Sequence, residues 1–404
     1  MELGDVDLYD PDTFVPGVPH EYFALLRREA PVFAHPYPDG GRFWCVTRHE
    51  DLVHVNRDNH TFSSWRKTAL IDEPEPDVLE WSRMLMLNMD PPDHTKLRKI
   101  VNKGFTPRMI RSLMEHLREE AREIVAMAKE KGEVDFVEEV AAELPLIAIA
   151  EFIGVPVEDR KMIFEWSNRL VGNADPEYQI EDADVSEATT ELFAYAQALA
   201  TEKRAKPGDD IASALLQAEV DGDRLSDMDF NVFFMLLAVA GNETTRNAIS
   251  HGMHALLEHP DQRDDLVASP DLLESAVEEM LRWATPVMQF KRTTTQPVTV
   301  GGVEIGADEP IVFWHISANR DESVFDDPYT FDLRRSPNAH TSSHIAVGGG
   351  GPHFCLGANL ARAEMQVIFE ALLPHLPTIE QSGDVARLRS NFINGIKHLP
   401  VRFG

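Results

Sequence analysis

The sequence predicts a mainly α protein, and three observations carry that prediction. Residues 226–259 form the longest helical pattern, and its middle, Phe233-Phe234-Met235-Leu236-Leu237-Ala238-Val239-Ala240, is apolar on every side. A helix of that kind runs through a core rather than along a surface. Further helical spacing covers 108–131, 134–153 and most of 157–204. Strand signals are short and few, at 42–47, 284–292, 299–305 and 311–316.

Taken in order, residues 1–20 are rich in Asp and Pro and read as an irregular arm, and 21–30 has helical spacing. The strand at 42–47 contains Cys45, which reads as a core residue, and a short helix follows from His49. Residues 61–88 read mostly as loop, with Pro74 and Pro76 inside; long irregular segments often carry binding. The next helix is capped by Asp90 or Asp93, with Pro91 and Pro92 in its first turn. On it His94 and Arg98 lie four apart and share one face. Read alone, that face with Lys96, Lys99 and Lys103 is equally a solvated basic one.

The stretches 108–131 and 134–153 read as amphipathic helices. The break at 171–176 reads as the turn between two helices of a lid, 209–219 as a helix, and 221–223 as a turn that does not fit a calcium loop. Ser226 is a natural N-cap for the long core helix, with Asp229 three residues on. Its apolar middle runs straight into Gly241-Asn242-Glu243-Thr244-Thr245, and a buried unpaired charge there needs a reason. His251, His254 and Glu258 have helical spacing but not the order of a zinc protease, so they read as a solvated helix face. Glu279 and Arg282 sit three apart on a helix over 273–283. A glycine-turned hairpin follows at 299–305.

Composition narrows the classes. The chain has 404 residues, 43% of them hydrophobic, enough for a sizeable core, and no linker, repeat or low-complexity tract divides it. One domain over 1–404 is therefore expected. A formal net charge of −30 argues against nucleic acid and anionic membrane as partners. Two distant cysteines make no disulfide framework and fit a reducing compartment. The N-terminus is acidic without an apolar stretch, so no signal peptide is read there. The longest apolar run is too short for a membrane anchor. A cytoplasmic protein is the expectation.

The chemistry centres on Gly348-Gly349-Gly350-Gly351-Pro352-His353-Phe354-Cys355-Leu356-Gly357, followed at once by a helical pattern. Four glycines are costly to order, so the backbone is expected to pass close to something bulky. A cysteine just before a helix start meets free N–H groups and the positive end of the helix dipole, which favour thiolate. One such cysteine cannot make a four-cysteine zinc or iron–sulfur site. A single axial thiolate on haem iron remains.

Residues 351–357 resemble the haem-ligand loop of the cytochrome P-450 superfamily, Gly-x-(His or Arg)-x-Cys-x-Gly. The family places a Phe seven residues before the cysteine; here Gly348 stands there and Val347 precedes it. One extra loop residue, with shielding moved to Val347, explains the pattern. Residues 90–107 resemble the family's C helix, 240–244 its Ala-Gly-x-(Asp or Glu)-Thr on the I helix, 279–282 its Glu-x-x-Arg, and 388–403, with Phe392-Ile393-Asn394-Gly395 at the turn, its terminal β hairpin.

The resemblance implies a single triangular, mainly α domain with a smaller β-rich part, holding haem b between the long helix and the Cys355 loop. It implies Cys355 as iron ligand, with His94, Arg98, Arg292, His344 and His353 on the propionates and Gly357 beside the ligand. It implies Thr244 and Glu243 as proton carriers, with Gly241 letting oxygen or water near the backbone. Glu279 and Arg282 would be structural, with Arg320 or Arg334 as third partner.

The expected activity is insertion of one oxygen atom from O2 into an unactivated C–H bond. Electrons would come from a ferredoxin and its reductase, docking on Lys96, Arg98, Lys99, Lys103 and Arg108. The pocket would be lined by Met84, Leu85, Met86, Leu87, Val171, Val239, Ala240, Val287, Met288, Phe290 and Phe392. Segments 86–90, 241–247, 282–287 and 394–398 are similar to bacterial enzymes that hydroxylate the side chains of steroids and branched lipids. A steroid or sterol comes first, then terpenoids and methyl-branched fatty acids. A non-catalytic haem-thiolate sensor or binding protein is the rival from another class.

Overall fold

The computed structural model describes residues 1–38, 40–171, 175–178, 185–219, 222, 224–335 and 344–404, without the side chains of 77, 107, 108, 164, 168, 171, 185 and 186. Part of the expected lid turn (172–174) and two residues of the 221–223 turn lie outside these.

The organising element is the helix Asp227–Glu258. Ser226 caps it: its Oγ accepts the Asp229 N–H (3.1 Å), and the Asp229 carboxylate accepts the Ser226 N–H in return (3.0 Å). Such a cap stabilises a helix by about 1 kcal/mol. Helices Glu143–Ile153, Arg160–Val171, Val185–Ala205, Leu273–Ala284 and Ala358–Leu372 all pack on it.

The stretch expected to be one amphipathic helix over 134–153 is different. It comprises a strand Glu133–Asp135, a π-helical turn Val137–Ala141 and the helix Glu143–Ile153. That helix buries Leu144 through Ala150, Phe152 and Ile153. It lies between the core helix and Pro107–Lys131, so it has almost no face left for water. The N-terminal arm is likewise more than irregular chain. It forms two 3-10 turns, Leu3–Asp5 and Pro11–Phe14, and buries Val6, Leu8 and Phe14. Phe14 stacks on Trp314 at 5.9 Å.

The β-rich part is a five-stranded sheet in the order Val32–Pro36, Arg42–Val46, Pro310–Trp314, Gln289–Thr294, Phe62–Ser63. Its strands pair antiparallel except Arg42–Val46 with Pro310–Trp314. The strand expected from 284 starts only at Gln289. Thr285 ends the preceding helix in a left-handed conformation (φ 39°) and hydrogen-bonds the Arg282 carbonyl, which delays the extended chain. The loop expected over 61–88 contains a short helix, Pro76–Ser82. Ala386–Arg387 and Ile396–His398 pair across the terminal hairpin. No helix among the described residues is long and apolar enough to cross a membrane.

Candidate active site

The Cys355 loop is built on glycine. Gly348, Gly350 and Gly351 have φ of 101°, 91° and 79°, where a side chain is strained. A Cβ on Gly351 would lie 2.2 Å from the carbonyl oxygen of Asn56. One bulky neighbour that the glycines accommodate is therefore the helix His49–Arg57. The Cys355 N–H donates to the Val347 carbonyl (3.0 Å), closing the loop. The sulfur accepts the Gly357 N–H, and the helix Ala358–Leu372 starts at the next residue.

Of the two cysteines, Cys45 is buried in the sheet core and Cys355 is accessible. Burial pushes the Cys355 thiol above its ordinary value, while the Gly357 N–H, Arg98 and Arg362 pull the other way.

Basic side chains surround the loop. Arg98 donates from Nη2 to the Phe354 carbonyl (2.8 Å), so it fixes the residue beside the cysteine. Arg292 is buried, and its one hydrogen bond among the described residues is to the Lys291 carbonyl (2.8 Å). Burial lowers its pKa to about 10, with Asp90 opposing. His94 is buried with Nδ1 unpartnered among the described residues, and its ring lies 4.2 Å from that of His353. Burial, then Arg98 and Arg292, lower the His94 pKa to about 4. His353 is held well below its ordinary value by burial and the same cations. Its Nε2 lies 3.3 Å from Ser64 Oγ. Buried guanidinium short of counter-charge beside a histidine short of a partner fits a group carrying carboxylates.

His344 is placed differently from expectation. Nε2 meets Glu278 Oε2 at 2.8 Å, and Nδ1 accepts the Ala346 N–H at 3.3 Å. Both ring nitrogens are engaged within the protein, so His344 belongs to the frame of the loop and not to the cofactor contacts. Glu278 also receives Arg362 Nε (2.5 Å) and Nη2 (3.0 Å). Burial raises its pKa, but His344 and Arg362 outweigh that and hold it at about 2. Neither Glu278 nor Arg362 was read as functional from the sequence. Only their meeting in space marks them, and nothing in their spacing announces it.

Next to Glu278, Glu279 binds Arg282 through both oxygens (2.7 Å each). The third partner is Arg335, at 3.3 Å, and neither Arg320 nor Arg334. Arg334 turns outward to Asp265 (2.7 Å), and Arg320 spends its guanidinium on the carbonyls of Arg282 and Trp283 (2.9 Å each).

On the core helix Leu236, Ala240 and Thr244 stay at least partly accessible. At a spacing of four they form one stripe that opens onto the interior. Val239 and Gly241 flank it. A Cβ on Gly241 would lie 2.8 Å from Ile149 Cδ1, so its missing side chain also serves the packing of Glu143–Ile153. Thr244 Oγ1 donates to the Ala240 carbonyl (2.8 Å). Glu243 is buried; Oε2 accepts from Arg246 Nη2 (2.5 Å) and Oε1 has no hydrogen-bond partner among the described residues. Burial raises its pKa against the pull of Arg246.

His251 and His254, two to three turns on, are buried rather than solvated. The terminal hairpin covers the helix there, with His251 Nε2 at 3.1 Å from the Asn394 carbonyl. Among the described residues no metal-binding cluster of His, Cys, Asp and Glu occurs.

The expected pocket lining divides. Val287, Phe290 and Phe392 come together: Val287 bridges to Ile393, the Met288 N–H donates to the Phe392 carbonyl (2.8 Å), and the Phe290 and Phe392 rings meet edge to face at 5.6 Å. All three are half-buried and uncharged. Met288 points the other way, into the cluster with Cys45 and Trp314, as alternation requires. Met86 is buried in the main core, while Met84, Leu85 and Leu87 are half-buried. The Val171 side chain lies outside the described residues.

The cytochrome P450 family model matches residues 179–392. The chain is 45% identical over 407 residues to a steroid C26-monooxygenase of Rhodococcus jostii, covering 98% of this chain and 84% of that one. It is 40% identical to a methyl-branched lipid omega-hydroxylase of Mycobacterium tuberculosis, covering 99% and 94%. A Mycobacterium marinum cytochrome P450 solved in complex with pseudoionone superposes with a TM-score of 0.88 at 43% identity, over 95% and 94%. The chain belongs to the cytochrome P450 family. It is an oxidoreductase of the monooxygenase class, and membership implies a haem with a cysteine thiolate as axial ligand.

Proposed function

We propose that this protein hydroxylates an unactivated C–H bond in the side chain of a steroid or sterol, with Cys355 as the iron ligand. The observation that supports the site is the accessible Cys355 sulfur ringed by Arg98, Arg292, His94 and His353. The uncharged, half-buried cluster of Val287, Phe290 and Phe392 suits a hydrophobic substrate, and the names of the relatives point to steroid and branched-lipid side chains.

Haem, when bound, supplies the dioxygen activation and the oxidising power. The chain supplies the rest. Gly357 N–H tempers the charge on the Cys355 sulfur. Arg98 and Arg292 give charge to the propionates, and His94, held neutral by burial with Nδ1 unpartnered among the described residues, gives a hydrogen bond, while His353, engaged by Ser64 and the Met89 carbonyl, braces the His94 ring. Thr244 and Glu243 move protons: the Thr hydroxyl stands on the accessible stripe, and Glu243 refills it from the buried side. Gly241 keeps the backbone beside them open.

Electrons are proposed to come from a ferredoxin and its reductase in the cytoplasm. Lys96, Lys99 and Lys103 are exposed on an otherwise acidic protein and form the docking face. Arg98 is turned inward to the loop, so it acts on the cofactor side. The Arg108 side chain lies outside the described residues.

An optical titration of the purified protein tests the substrate. A shift from low to high spin with 4-cholesten-3-one or cholesterol, followed by product with a hydroxylated side chain, is expected. A shift only with terpenoids or branched fatty acids would keep the monooxygenase and discard the steroid. The neighbour bound to pseudoionone and the branched-lipid relative make those the comparison ligands.

A further inference from the structure

We propose that Glu278 is a positioning residue for the thiolate, its one carboxylate holding both ends of the Cys355 loop and setting how much of the Arg362 charge reaches the sulfur. This rests on Cys355 being the iron ligand.

The geometry is a clamp. His344 lies before Cys355 and Arg362 after it, and both bind Glu278 from opposite sides of the loop (2.8 Å, and 2.5 and 3.0 Å). Glu278 is 2% exposed and sits on the buried helix Leu273–Ala284, so its position is fixed by the core. The adjacent acids divide the work. Glu279 faces Arg282, Arg335 and the Asp332 N–H, and Glu278 faces the loop.

Arg362 also donates to the Ala358 carbonyl (3.3 Å) in the first turn after the loop. Its guanidinium is thereby tied to the start of the helix that begins three residues after Cys355, so its charge lies beside the thiolate loop. A carboxylate paired with that guanidinium cancels part of its field. Glu278 thereby adjusts the thiolate without touching it, as outer partners of metal ligands do.

The test compares the ferric–ferrous midpoint potential, the ferrous-carbonyl spectrum and the melting temperature of the haem-loaded wild type, Glu278→Gln, Arg362→Gln and the double variant. Glutamine keeps the shape and removes the charge. Glu278→Gln should move the potential positive, because a lost negative charge favours the added electron. Arg362→Gln should move it negative, and the double variant should return toward wild type. A plain structural brace predicts loss of the thiolate spectrum or of melting temperature in both single variants, with no opposite signs; that result, or unchanged potentials, overturns the proposal. If Glu278→Gln fails to fold, Arg362→Gln alone must still move the potential negative. A wild type without a thiolate-type carbonyl spectrum would instead overturn the assignment of Cys355, before Glu278 is reached.

Discussion

Glu243 and Thr244 are neighbours in the chain but meet different surroundings. The hydroxyl stands on the accessible stripe, and the carboxyl turns to Arg246 in the core. In the proposed mechanism the hydroxyl serves the reacting side and the carboxyl the supply. Thr244→Ala should therefore leave substrate binding intact while product per electron consumed falls, by about 100-fold at the low end of what proton transfer contributes. Measuring hydrogen peroxide against product checks it; full coupling in the variant would remove Thr244 from the mechanism. At this scale the cysteine and its glycines were legible, because their types are chemically costly anywhere else. Arg335 was not, since Arg334 and Arg335 are the same in sequence and only the turn before them decides which faces inward. His344 was misplaced for a related reason: its partner Glu278 is far away in the chain.

Among elements, the helix Leu273–Ala284 carries the strongest structural prediction. Glu279 and Arg282 are both almost fully buried, and removing one partner of such a pair costs about 3–5 kcal/mol. Glu279→Ala should lower the denaturation free energy by that amount or fail to hold the fold; a loss under about 1 kcal/mol, the value of a surface pair, would contradict the buried frame.

A second prediction concerns the tie between residues 175–178 and the terminal hairpin. His398 sits between Asp135 (2.6 Å) and Glu177 (2.7 Å), and Lys397 between Asp175 (3.1 Å) and Glu177 (2.6 Å). Burial disfavours the charged imidazole, but the two carboxylates outweigh it and raise the His398 pKa. The stabilisation is then complete below the unfolded value of about 6.5 and is lost as pH rises through the raised folded value. The melting-temperature gap between wild type and His398→Asn should narrow from acid to alkaline pH. A gap that is constant or widens would reject the tie as charged.

Helix existence was legible because apolar spacing survives in any tertiary context. The interruption near 137–142 was not, because a strand pairing with the distant Pro400–Phe403 segment pulls Glu133–Asp135 out of the helix.

At the scale of the molecule, the −30 charge makes any basic patch conspicuous to an acidic electron carrier. Reversing Lys96 and Lys99 to Glu should slow reduction by a ferredoxin, most at low salt, and leave substrate affinity unchanged. Equal reduction rates would move the docking face elsewhere. Mainly α architecture was readable from the pattern of helices, whereas the way the N-terminal arm closes the sheet was not: its few apolar residues carry no period, and Phe14 finds Trp314 only after folding.

The central claim is a haem held by Cys355, and the ferrous-carbonyl spectrum of the wild type beside Cys355→Ser tests it most directly. The red-shifted band of a thiolate-bound haem is expected in the wild type and lost in the variant. The same band in both, or none in a haem-loaded wild type, would contradict it.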